Sequence, residues 1–159
     1  TQNVTIEIGE SRLDDLVVEV VDGELTIDID GGPFITASEL VATITVTDLE
    51  AIAASSASDV VVAGVDLDQL DVVVDQASQV AMSGSVSTLD LNMSEAASGD
   101  FDGTEIDSVT LSMSGASSAD FDEGTIAIEG SIGGASSLDV DDSTTLRVES
   151  HGASSIDRD

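Results

Sequence analysis

The stretch V-T-L-S-M-S-G-A-S-S-A-D-F, residues 109–121, decides the fold, and I-E-G-S-I-G-G-A-S-S-L-D-V, residues 128–140, repeats its pattern one unit further along the chain. In both stretches apolar residues two positions apart alternate with polar ones, with Gly130 as the exception, which is typical of a strand with one buried face. A small Ala-Ser-Ser segment interrupts the alternation and suits a tight bend held by side-chain to backbone hydrogen bonds. Each unit is therefore expected to form two short strands joined by an Ala-Ser-Ser corner.

This corner recurs along most of the chain. Its alanine returns at nearly equal spacing, at Ala57, Ala77, Ala96, Ala116, Ala135 and Ala153. A second turn in each unit is marked by a glycine, at Gly64, Gly84, Gly103 and Gly124. Units this short cannot bury their own apolar face, so they must stack on one another. The sequence predicts an all-β protein, a parallel β-solenoid with coils of about 18–20 residues; a β-sandwich or a meander is the alternative.

The N-terminal region is β-rich but less regular. Its predicted elements are strands at Val4–Ile8 and Leu40–Val46, a hairpin within Leu16–Ile29 that turns at Asp22-Gly23, and a loop at residues 31–33. No low-complexity linker separates this region from the repeats. We therefore predict two parts, a β region or cap at residues 1–48 that is continuous with the solenoid, and solenoid repeats at residues 49–159.

The charge of the chain disfavours several classes of partner. The sequence has 33 Asp and Glu residues against three arginines and no lysine, a net charge of −30. Binding to nucleic acid or to an anionic membrane surface is disfavoured, because both need Lys and Arg. There is no cysteine, and there is no apolar run of about 18 residues that would span a membrane. A first residue, Thr1, that is not Met fits removal of a signal peptide, so we expect an extracellular or cell-surface protein.

The residues available for catalysis are few. The single histidine, His151, would need a nucleophile and an orienting carboxylate to act as a general base. A surface histidine in the last coil is the favoured interpretation, and Arg147 and Arg158 are expected to pair with neighbouring carboxylates. No phosphate loop, zinc-ligand spacing or dinucleotide fingerprint occurs. The sequence predicts that the protein is not an enzyme.

The sharpest local pattern is acidic. Asp-x-Asp recurs at one position of four successive coils, giving Asp100, Asp102, Asp120, Asp122, Asp139, Asp141, Asp157 and Asp159. The residue between each pair is core-facing or nearly so, namely Phe101, Phe121, Val140 and Arg158. Both carboxylates are therefore expected to point outward, and in-register stacking would make a two-column grid. Neighbours about 4.8 Å apart repel by about 0.9 kcal/mol in bulk water. Ca²⁺, which takes six to eight oxygen ligands, suits such a face; a solvated acidic face that keeps the protein soluble is the alternative.

Three stretches carry a resemblance to a known family. They are V-E-V-V-D-G-E-L-T-I-D-I at residues 18–29, T-V-T-D-L-E-A-I at residues 45–52, and the S-G-A-S-S corner at residues 114–118. Their order resembles the head GIN domain family of autotransporter adhesins over most of the chain. The resemblance implies a right-handed, solenoid-like β protein of the bacterial surface. The sequence departs from that family in using serine where glycine-aspartate is usual, and in lacking its first strand.

These observations favour two functions. The first is a non-catalytic structural protein of the cell surface that self-associates end to end into a filament or surface layer, since the sequence stops at Asp159 inside a repeat with no visible polar cap. The alternative is an adhesive, ligand-binding monomer whose acidic face depends on cations. A carbohydrate-cleaving enzyme is disfavoured, because short regular coils leave no long loops to build a catalytic groove.

Overall fold

A computed structural model describes residues 3–7, 14–29, 41–46, 48–121 and 124–158. Contacts divide the chain into two compact units, Thr1–Thr47 and Asp48–Asp159. The division falls one residue before the predicted boundary. The cap role proposed for the N-terminal part stays a prediction.

Among the residues that the structure describes, the first unit contains two small antiparallel sheets. Strand β1 (Asn3–Glu7) pairs with β4 (Val41–Thr45), and β2 (Leu16–Val21) pairs with β3 (Glu24–Ile29). The β2–β3 turn places Asp22 and Gly23 at φ of 52° and 90°. Positive φ at both central residues suits a two-residue hairpin turn, as the Asp-Gly pair predicts. The predicted loop at residues 31–33 lies outside the described residues.

The second unit is a stack of parallel coils. Its strands are β5 (Ala51–Ala54), β6 (Asp59–Val74), β7 (Gln79–Met93), β8 (Ser98–Met113), β9 (Ser118–Phe121), β10 (Ala127–Ile132), β11 (Ser137–Val140), β12 (Thr145–Ser150) and β13 (Ser155–Arg158). Every pairing among them is parallel and joins residues one coil apart. About six turns of about 19 residues result, which confirms the predicted all-β parallel solenoid. The implied right-handedness stays a prediction.

The sequence predicts that the glycines of the first coils end one short strand and begin another, but the strands of these coils are continuous through them. Strands β6, β7 and β8 run for 16, 15 and 16 residues, straight through Gly64, Gly84 and Gly103. The pairing register shifts next to these glycines, between Ala63 and Val65 and between Ala81 and Ser83. A bulge lets a strand bend without ending, so the second turn of these coils is a bend within a continuous strand.

The core is built from inward columns of equivalent residues in successive coils. Leu70, Leu89 and Val109 form one such column and are fully buried. Phe101 and Phe121 stack in another, with ring centroids 4.7 Å apart and planes within 11°. Small residues compensate for this bulk, because a Cβ at Gly99 would lie 2.6 Å from the Phe101 ring. The interior is therefore filled by combining large and small side chains.

The Ala-Ser-Ser corners form as predicted. The hydroxyls of Ser117, Ser136 and Ser154 donate to the carbonyl oxygen three residues earlier, at 2.7, 2.7 and 2.9 Å. The residue before each corner alanine has a positive φ, from Ser56 in the first coil to Gly152 in the last. Local hydrogen bonds thus close the bend at equivalent positions, which keeps successive strands in register.

Candidate binding face

Strand alternation produces two outer faces, one on each side of the corners. The first outer face carries the outward side chains that precede each corner, namely Asp71, Val73, Asp90, Asn92, Thr110, Ser112, Glu129, Ser131, Arg147 and Glu149. The second outer face carries those that follow it, namely Asp59, Val61, Gln79, Ala81, Ser98, Asp100, Ser118, Asp120, Ser137, Asp139, Ser155 and Asp157. The two faces share a scaffold but differ in chemistry.

The second outer face carries four aspartates in register, which we call the aspartate ladder: Asp100, Asp120, Asp139 and Asp157. Asp100 pairs with Asp120, Asp120 with Asp139, and Asp139 with Asp157, on strands β8, β9, β11 and β13. Asp139 is partly buried, and the other three side chains are exposed. Parallel strands lie about 4.8 Å apart, so the ladder is a column of closely spaced carboxylates.

The core dictates why these aspartates point outward. Asp120 lies between Ala119 and Phe121, which are 1% and 0% exposed. Asp139 lies between Leu138 and Val140, which are 0% and 2% exposed. Since side chains alternate along a strand, burial of both flanking residues fixes each aspartate on the solvent side. The mutual repulsion of the ladder is therefore imposed by packing of the apolar columns.

A serine column runs beside the ladder. Ser98, Ser118, Ser137 and Ser155 pair in register two residues before the aspartates. The Ser155 hydroxyl donates to the Ser137 hydroxyl at 3.3 Å. Sequence reasoning concentrated on the acidic residues and missed this column, although the same two-residue alternation that located the aspartates would have found it. Together the two columns make a face of small hydrogen-bonding groups.

The second predicted aspartate column differs from the first. Asp141 accepts hydrogen bonds from the backbone N–H of Ser143, at 2.7 Å, and from the Ser143 hydroxyl. The Ser143 hydroxyl, then its N–H, and to a smaller extent the charge of Arg158 hold the pKa of Asp141 below its ordinary value. The Asp102 N–H donates to Asp100 Oδ1 at 3.3 Å. Asp122 and Asp159 lie outside the described residues, so the second column of the grid stays a prediction.

The remaining polar candidates lie near the last coil. His151 is exposed, with its Nε2 3.7 Å from Glu149 Oε2. Arg158 donates to the carbonyl oxygen of Thr144, and Arg147 lines a shallow groove that also includes Ser108 and Thr145. Within the described ranges, no three Asp, Glu or His side chains converge closely enough to hold a metal ion. The calcium site therefore stays a prediction.

The fold and this face define the class of protein, a parallel β-solenoid that displays columns of small polar side chains. The chain belongs to the family described as "Putative auto-transporter adhesin, head GIN domain", whose model matches residues 1–158. This match confirms the family resemblance drawn from the sequence. No curated protein and no solved structure matches the chain. The described part of the chain contains no helix long and apolar enough to cross a membrane.

Proposed function

We propose that this chain is a non-catalytic adhesive module of the cell surface, which binds its ligand through the second outer face. Family membership supports the surface role. The observation that carries the choice of face is the aspartate ladder beside the serine column, in register over four coils. A rigid array of repeated groups binds a repetitive ligand at many points at once, so weak single contacts add to a useful avidity.

The chemistry of the face favours a hydroxyl-rich or cationic ligand. Carboxylates accept hydrogen bonds and serine hydroxyls both donate and accept. A chain of net charge −30 also repels polyanions. A polysaccharide with hydroxyl and amino groups meets these requirements along its whole length. An anionic polysaccharide would bind only if Ca²⁺ bridged its carboxylates to the ladder, which is the form that the predicted cation dependence takes here.

The test compares three immobilised polysaccharides, cationic chitosan, neutral dextran and anionic hyaluronate, with and without millimolar calcium. The test variant is Asp120→Asn with Asp139→Asn, which removes the two central carboxylates of the ladder. Its matched control is Asp71→Asn with Asp90→Asn, a pair that is also in register but lies on the first outer face. Both double variants change the net charge by the same amount.

We expect at least a tenfold loss of chitosan or dextran binding in the ladder variant and a much smaller change in the control. Equal losses of binding in both variants would mean that binding depends only on the net charge of the chain, which would overturn the assignment of the second outer face. Hyaluronate binding that appears only in calcium and disappears in the ladder variant would support the calcium-bridged form. Absence of binding to all three surfaces, with or without calcium, would contradict the proposed ligand class.

A second candidate function is self-assembly by coil-on-coil stacking. Within the described residues, residues 59–70 of β6 pair on one side only, and β12 and β13 also pair on one side only. Apolar side chains at these edges are only partly buried, namely Val60, Val62, Val65, Leu67, Leu146, Val148 and Ile156. Open strand edges of this kind invite pairing with another chain.

Electron microscopy of the native protein tests this second function. Uniform fibres that survive calcium chelation would support stacking through the strand edges. Fibres that disappear on chelation would assign the joint between subunits to the acidic face. Single particles of uniform size in both conditions would contradict self-assembly and leave the adhesive monomer as the function.

A further inference from the structure

Both asparagines of this chain begin the same short motif. Asn3-Val4-Thr5 and Asn92-Met93-Ser94 each have the form Asn-x-Ser/Thr, the acceptor motif for N-linked glycans in secreted proteins. Ser and Thr make up 36 of the 159 residues, so chance places two asparagines in the motif only about once in twenty trials. Glycan attachment also requires that the motif be accessible on the surface of the folded chain.

Asn92 occupies an accessible position of the solenoid. It lies on β7, on the first outer face, and its side chain is exposed, whereas the following Met93 is 2% exposed and points into the core. Ser94 follows at the start of the corner. The two residues that a glycosyl-transferring enzyme must recognise are therefore accessible, since Asn92 is exposed and Ser94 is partly exposed. The variable middle residue, Met93, is buried.

The neighbours of Asn92 leave room for a sugar. In register on either side lie Val73 and Ser112, and both side chains are exposed. Val73 is 44% exposed, one of the few large apolar side chains on the surface of this unit. A sugar attached at Asn92 would lie over Val73 and remove part of that apolar surface from water. The second outer face, on the other side of the corner, would stay open to ligand.

We propose that Asn92 carries an N-linked glycan, an inference that rests on the surface location within the proposed function but not on its ligand. In the reaction, Asn92 Nδ2 bonds to the anomeric carbon of an oligosaccharide activated as a lipid diphosphate. The bond from that carbon to the diphosphate breaks, and the amide proton passes to a base of the transferase. No oxidation or reduction occurs, so this donor is the only co-reactant.

Asn3 is a second acceptor of the same kind. Its side chain is exposed at the start of β1, and its Nδ2 donates to the Thr5 hydroxyl at 3.3 Å. The amide and hydroxyl of this motif thus lie side by side on one face of the strand, because residues two apart share a face. The two sites lie in different units, so each can be tested without disturbing the other.

The test uses the full chain isolated from the surface of the cells that produce it, digested and analysed by peptide mass spectrometry. The informative variants are Asn92→Gln, Ser94→Ala and Ser94→Thr. The corner uses only the backbone of Ser94, whose N–H donates to Val74 O and whose carbonyl accepts from the Ala97 N–H. Both serine variants should therefore fold, which circular dichroism verifies.

We expect the peptide containing Asn92 to carry a glycan mass in the wild-type chain and in Ser94→Thr. The same mass should vanish from Ser94→Ala, in which Asn92 itself is intact, and from Asn92→Gln. An unmodified Asn92 peptide in wild-type protein from the cell surface would overturn the proposal, as would a glycan that persists in Ser94→Ala. Polysaccharide binding is measured separately on unglycosylated protein, so failure of the adhesive function and failure of this inference are distinguishable.

Discussion

Neutralising one carboxylate in the middle of the aspartate ladder should stabilise the protein. Asp139 has a carboxylate neighbour in register on each side, Asp120 and Asp157. At about 4.8 Å each pair repels by about 0.9 kcal/mol in bulk water. With a Debye length of about 10 Å at 0.1 M salt, screening lowers the two pairs together to about 1 kcal/mol. Asp139→Asn should therefore raise the free energy of unfolding by about 1 kcal/mol at 0.1 M salt.

The assay is urea unfolding followed by circular dichroism, since urea adds no ions and the chain has no Trp or Tyr to report by fluorescence. At 1 M salt, where the Debye length is about 3 Å, the gain should fall to a few tenths of a kcal/mol. The matched control is Asp59→Asn, an exposed position of the same face whose partner in register is Gln79. An equal increase in the free energy of unfolding in both variants would refute repulsion within the ladder as the cause. An increase in Asp139→Asn that is the same at 0.1 M and 1 M salt would also refute it.

Three further predictions concern the corners and the core. Gly134→Ala should lower the free energy of unfolding in urea by about 2–4 kcal/mol. The reason is that φ at Gly134 is +76° and the new Cβ would lie 2.3 Å from a carbonyl oxygen of the preceding coil. The control Gly133→Ala should change the free energy of unfolding little, because its Cβ would lie 3.8 Å from the nearest atom and its φ is not positive. Ser143→Ala should raise the pKa of Asp141 toward its ordinary value in a carbon NMR titration. Because the pKa of Asp141 is lowered in the folded state, its hydrogen bonds stabilise the fold at pH values above the pKa of the unfolded chain. This stabilisation is lost as the pH falls through the pKa of the folded state. The Ser143→Ala variant should therefore lose less unfolding free energy on acidification than the wild-type chain. Phe121→Ala should cost about 3–5 kcal/mol in the same unfolding assay, since it empties a fully buried stacked position; a loss below about 1 kcal/mol would contradict the packing of this column.

The repeat made much of the second unit predictable. The spacing of the corner alanines equals the offset at which the strands pair, since Ala57 precedes Ala77 by as many positions as Ala51 precedes its partner Asp71. The alternation of apolar and polar residues likewise indicated which side of each strand is buried. These features are local and recur in every coil, so each copy reinforces the interpretation of the others. The outward column of four aspartates followed from the same alternation.

Features that depend on contacts between distant residues were not predictable in this way. The pairing of β1 with β4 joins strands that lie far apart in the sequence, and no local pattern specifies it. Gly130 interrupts an apolar column for a steric reason, because at φ of +141° a Cβ would lie 1.9 Å from Leu111 O in the coil before it. Asp141 is the second aspartate of an Asp-x-Asp pair, and the alternation alone does not show that it accepts hydrogen bonds from the nearby Ser143. Each of these outcomes is decided by which neighbour a residue meets in the folded chain.

In-register stacking of the aspartate ladder is the central claim, because both the proposed binding face and its repulsion depend on it, and cysteine cross-linking tests it directly. The natural chain has no cysteine, so Asp120→Cys with Asp139→Cys introduces a single pair on adjacent coils. Their Cα atoms should be about 4.8 Å apart, within the range that a disulfide spans, whereas Asp120→Cys with Asp157→Cys places them about 10 Å apart, beyond it. We predict rapid intramolecular disulfide formation in the first variant and none in the second. No disulfide in the first variant, or equal disulfide formation in both, would contradict the in-register ladder.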